Sequence, residues 1–148
     1  MRFKCFHREL FSQEKGGFAE LWNLKCEGDT PVMRALKFEQ FSFVKLLLSV
    51  AEVDVNQVDS EGQSLAELAV INNYQELLEV MLTVDRLDWN SVNQEGNTPI
   101  MTAVIKGHLE IVQLLLKQPD KIDPSLRNMN GQTVEDIARQ EQYSRLLF

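Results

Sequence analysis

The feature that most constrains this 148-residue chain is a period. Gly28, Gly62, Gly96 and Gly131 stand 34, 34 and 35 residues apart, and each opens a similar octapeptide. These are GDTPVMRA (28–35), GQSLAELA (62–69), GNTPIMTA (96–103) and GQTVEDIA (131–138). An apolar second segment follows each time: FVKLLL (43–48), LLEVML (77–82), IVQLLL (111–116) and the shortened RLLF (145–148). The connectors VDVNQVDSEG (53–62), LDWNSVNQEG (87–96) and IDPSLRNMNG (122–131) alternate acidic and apolar residues. A constant period of this length marks a supersecondary unit that buries its apolar face only by stacking on its neighbours.

Within each unit the residue types specify two short helices. Thr30, Ser64, Thr98 and Thr133 stand where a side-chain oxygen can accept a hydrogen bond from the orphan amides of a helix start. Pro31 and Pro99 follow at the first helical position, where a missing N–H costs nothing. Ser64 and Glu67 have capping-box spacing, and Thr133 with Asp136 is a weaker acidic variant. Ala35, Ala69, Ala103 and Ala138 share one position, where neighbouring helices must approach closely. In the second segments Leu and Val recur at i, i+3 and i+4 and make one apolar face. The expected fold class is all-α, a single domain of stacked helix-turn-helix units with hairpin-like connecting loops. Its expected divisions are 28–61, 62–95, 96–130 and a terminal, shortened 131–148, preceded by a degenerate half-repeat over 1–27 that caps the stack.

The pattern resembles the ankyrin repeat family. Gly96, Thr98, Pro99, Ile100 and Ala103 fall in register with the family's first-helix signature, and Gly107, His108, Ile111, Val112 and Leu114 to Leu116 with its second. The resemblance covers 20–148 and implies an ankyrin-repeat solenoid. The family's usual His after its Thr-Pro-Leu is Met33, Glu67, Met101 and Asp136 here, so the hydrogen bond from that position to the neighbouring turn is expected to be missing. Each connector carries at least one extra residue relative to the family's unit of about 33. The resemblance also implies that the His108 imidazole bonds backbone groups of its turn. Asn56 and Asn90 match a hairpin asparagine that is a target of asparaginyl hydroxylation in some members.

Composition and motifs exclude other classes. A net charge of −7 argues against a partner held through its phosphates, so no nucleic acid is expected. No apolar run reaches the ~18 residues of a membrane span, and the start MRFKCFHRELF lacks the long apolar core of a signal peptide. Cys5 and Cys26, a sparse pair, read as reduced thiols in a cytoplasmic or nuclear protein, with a disulfide between them as the alternative. The chain contains no P-loop, no GxGxxG and no GxSxG. Glu61, Glu95 and Glu110 are not paired for acid–base work, and His7 and His108 have no companions at metal-ligand spacing. No catalysis, no cofactor and no metal are expected, and the chain is expected to be monomeric.

A non-enzymatic protein–protein interaction module is therefore the leading reading, with another protein as partner. The resemblance places contacts at hairpin tips and on the concave side of the first helices. It selects Lys37, Phe38, Glu61, Gln63, Ile71, Asn72, Glu95, Asn97, Ile105 and Lys106, with Phe38, Ile71 and Ile105 as an apolar stripe. Trp89 reads as inter-repeat packing, with an exposed anchor as its other use. The half-repeats at both ends motivate an alternative, the regulatory or targeting segment of a larger enzyme or channel.

Overall fold

The computed structural model describes residues 23–143, and its first helices begin where the sequence places a hydroxyl cap. The described helices are α1 (Pro31–Lys37), α2 (Phe41–Ser49), α3 (Leu65–Ile71), α4 (Gln75–Met81), α5 (Pro99–Lys106), α6 (Leu109–Leu116) and α7 (Val134–Gln140). The described residues contain no strand, only isolated bridges such as Val58–Ser64 that close hairpin tips. The expected half-repeat falls mainly on residues outside those described, as do Trp22 and the terminal RLLF.

Helices pair within a unit, α1 with α2, α3 with α4 and α5 with α6. The first helices α1, α3, α5 and α7 then stack in one row, and α2, α4 and α6 in a second. The shared alanines make the first row possible: Ala35, Ala69, Ala103 and Ala138 are all buried between consecutive helices. The second row buries Val44, Leu47 and Leu48, then Leu77, Leu78 and Met81, then Ile111, Val112 and Leu115. These are the apolar stripes of the three segments, and each such side chain contributes ~1.5–3 kcal/mol when removed from water. In the connectors Val55 and Trp89 occupy equivalent places in the core, whereas Pro124 at the third is exposed. Trp89 is 1% exposed, so its use is packing.

The tips are built by side-chain turns. Asp59, Asn93 and Asn128 each accept, through Oδ1, the backbone N–H groups two and four residues ahead, at 2.9–3.0 Å. The glycine that follows must take a left-handed conformation, and the packing also demands its bareness. Gly96 has φ +76°, and a Cβ there would lie 2.8 Å from the backbone nitrogen of Met129.

Several expectations change. Thr30, Ser64 and Thr133 do cap their helices, but the Thr98 hydroxyl is buried and makes no cap bond. The complete capping box belongs to Thr133 and Asp136, where the two N–H···O bonds run 3.3 and 3.0 Å. Bonds donated to Asp136 Oδ2 by the Thr133 amide and hydroxyl hold the carboxyl below its usual range. Glu67 does not return the bond to Ser64, because its carboxylate is engaged by the next repeat. His108 contributes to its turn through its backbone, while its imidazole Nε2 is buried without a hydrogen-bond partner among the described residues. Cys26 is buried and disulfide-bonded, the alternative to the reduced thiol at that position.

Candidate interaction surface

The candidate residues sit on two features that the stack brings side by side: the C-terminal ends of the first helices, and the tips. The left-handed residues Glu39, Asn73, Gly107 and Gln142 close the first helices and set their register. One residue earlier stand Phe38, Asn72 and Lys106, and two earlier Lys37, Ile71 and Ile105. The apolar stripe therefore crosses two registers, since Phe38 is equivalent to Asn72, not to Ile71. Phe38 and Ile105 are 47% and 43% exposed, and Ile71 is half-buried between them. Asn72 turns its amide back to the carbonyl of Leu68 at 2.8 Å, which tethers that helix end.

Lys37 closes the first junction. Its Nζ bridges Asp29 at 2.8 Å and Asp59 at 3.2 Å, so it joins the tips that lead into α1 and α3. Burial opposes its charge, but the hydrogen bonds and charges of the two carboxylates outweigh that and raise its pKa. Glu61 and Glu95 are exposed at tips, and Gln63 is half-buried. Asn97 departs from its expected place on the surface. It is 4% exposed, donates to Glu95 Oε2 at 3.0 Å and accepts from Asn128 Nδ2 at 3.0 Å. Its side chain is a spacer between the third and fourth tips.

At the second junction the expected missing bond is made after all, by a different residue type. Glu67 is 3% exposed, and its Oε1 accepts from Asn93 Nδ2 at 2.9 Å and from Thr102 Oγ1 at 2.7 Å. Its carboxylate stands in for an imidazole as the group that reaches the next tip.

On the connector side a ladder of asparagines links the units. Asn23 donates to the Glu52 carbonyl and accepts from the Asp54 amide. Asn56 does the same with Arg86 and Asp88, and Asn90 with Lys121 and Asp123, over 2.7–3.1 Å. Ser125 holds the next place and bonds Asp123 instead, which ends the ladder. Sequence reasoning missed Asn23, although Trp22-Asn23 repeats Trp89-Asn90 two units earlier. It also missed Arg86, whose guanidinium donates to the carbonyls of Leu48, Val50, Ala51 and Val53. Such a cation completes the C-terminal end of α2, where carbonyls lack partners. Nothing in a sequence announces four backbone acceptors.

Exposed apolar residues also occur on the tips, at Val58, Val92 and Met129, the last 78% exposed. Among the described residues no helix is long and apolar enough to cross a membrane, and no three His, Cys, Asp or Glu side chains gather as metal ligands.

A family model described as ankyrin repeats, in three copies, matches residues 68–147. A search of curated proteins finds no match to the chain.

Proposed function

The chain belongs to the ankyrin repeat family, and from that premise we propose that it is a monomeric, non-enzymatic recognition module whose partner seats on the first-helix ends and the adjoining tips. Members of the family are generally protein–protein interaction modules. The observation that carries the finer reading is the exposure of Phe38 and Ile105, with Ile71 between them, on consecutive stacked helices. Large apolar side chains flanked by Lys37, Lys106, Glu61 and Glu95 have the apolar centre and charged rim of an interface.

The test is quantitative affinity capture by the full chain in parallel with a Phe38→Ala, Ile71→Ala, Ile105→Ala variant. The expected result is a protein retained by the wild type, depleted at least tenfold on the variant, with unchanged helical circular dichroism. Equal capture by both chains, or a variant that unfolds, sinks the proposal, because the residues would then be surface bystanders or core. Hydroxylation at Asn56 or Asn90 remains part of the same family-based reading. Both amides are bonded to the next connector, so modification requires that connector to open locally.

A further inference from the structure

Glu67 is the one described carboxylate both fully enclosed and half unused. Its Oε1 carries both hydrogen bonds from the next repeat. Its Oε2 is equally buried and has no hydrogen-bond partner among the described residues. Among the groups acting on it, Glu95 repels its charge and Lys106 attracts it. The charged groups on the other helices packed against α3 are engaged or solvated. In α1, Arg34 pairs with Glu27, and Lys37 with Asp29 and Asp59; in α4, Glu76 and Glu79 are exposed.

We propose that Glu67 is a proton-linked latch, neutral when the second and third repeats are locked together, whose ionisation loosens the repeat-three tip. The proton resides on Oε2, the oxygen to which nothing donates, and leaves Oε1 as the acceptor for Asn93 and Thr102. Through Asn93 the latch reaches the tip itself, because Asn93 Oδ1 accepts the backbone N–H groups of Glu95 and Asn97, each at 3.0 Å. Ionisation strengthens the two bonds at Oε1 but puts charge on a buried carboxylate whose Oε2 has no donor, and exposing the group to water to relieve that cost gives up the Asn93 anchor of the turn. This inference does not depend on a partner binding there.

Burial pushes the Glu67 carboxyl above the ordinary glutamate value of 4.5; the bonds from Thr102 and Asn93 pull back, and Glu95 adds to the rise. A folded-state value above the unfolded one means that the latch contributes fully below the ordinary value. Its contribution is lost as pH rises through the folded value. One linked proton changes an opening equilibrium by up to tenfold per pH unit in that interval.

The experiment follows the Glu67 carboxyl carbon by NMR from pH 3 to pH 9 in the full chain. Alongside it, amide exchange protection at Glu95 and Asn97 is measured for wild type and Glu67→Gln. Expected are a midpoint above the ordinary glutamate range and tip protection that falls over the same interval, by up to tenfold per unit, in wild type only. A midpoint in the ordinary range overturns the proposal. So does protection that fails to follow the titration, or that falls equally in Glu67→Gln. If that variant does not fold, the wild-type titration and protection profile still decide.

Discussion

Lys37 and Glu67 stand on consecutive first helices, and each ties its own repeat to the next tip, yet the two junctions have opposite electrostatics. Lys37 lies in the last turn of α1 with about a third of its side chain in water, 36% exposed, and bridges two carboxylates. Its charge is compensated, and its position favours the helix dipole. Glu67 lies in the first turn of α3, enclosed, with two neutral donors and no cation bonded to it. The same stacking geometry thus accepts an ion triad where solvent reaches and a buried acid where it does not.

The largest expected effect comes from deleting the buried group. Glu67→Ala strands Asn93 Nδ2 and Thr102 Oγ1 and leaves a void, so we expect a loss of ~2–4 kcal/mol by denaturant unfolding. A loss under about 0.5 kcal/mol would show that the second junction does not depend on this acid. The asparagine ladder, whose chemistry is the same at both junctions, provides the control. Asn56→Ala and Asn90→Ala should each cost about 1–2 kcal/mol and agree within roughly half a kcal/mol. Unequal costs would mean that the junctions differ in more than their tips.

Lys37→Met is expected to cost only about 1 kcal/mol, because the lysine is partly exposed and screened. Its pH signature has the same sign as that of Glu67 but lies at far higher pH. With the folded pKa raised above 10.5, the contribution is complete at lower pH and is lost as pH rises through the folded value. A thermal melt series from pH 8 to pH 12 should therefore converge for wild type and Lys37→Met at the alkaline end. The smallest effect is that of salt. Between ~0.1 and ~1 M NaCl the Debye length falls from about 10 to about 3 Å, so the gap between wild type and Lys37→Met should narrow. The gap between wild type and Glu67→Ala should stay constant.

Much of the fold was legible because helix starts and buried faces are written in spacing. Pro31 and Pro99, the alanine column and the i, i+3, i+4 stripes found their places without any knowledge of neighbours. Legibility failed at polar residues whose partners lie a repeat away. Thr98 looked like a cap as good as Thr30 and makes no cap bond. Glu67 looked like the better half of a capping box and reaches across to Thr102, 35 residues on. Asn97 looked like a surface contact and is a buried spacer between tips. The exposed candidates Phe38 and Ile105 were found through family resemblance, not from any signal of their own.

The sequence by itself determined that this chain is a stack, because apolar periodicity and helix capping are local properties that repetition makes unmistakable. Only the tertiary structure decided where its polar groups spend their hydrogen bonds. Burial by apolar contact is non-directional and tolerates many neighbours, so a pattern suffices to foresee it. A hydrogen bond needs one partner at one distance and angle, and for Glu67, Arg86 and Asn97 that partner exists only after the repeats have stacked.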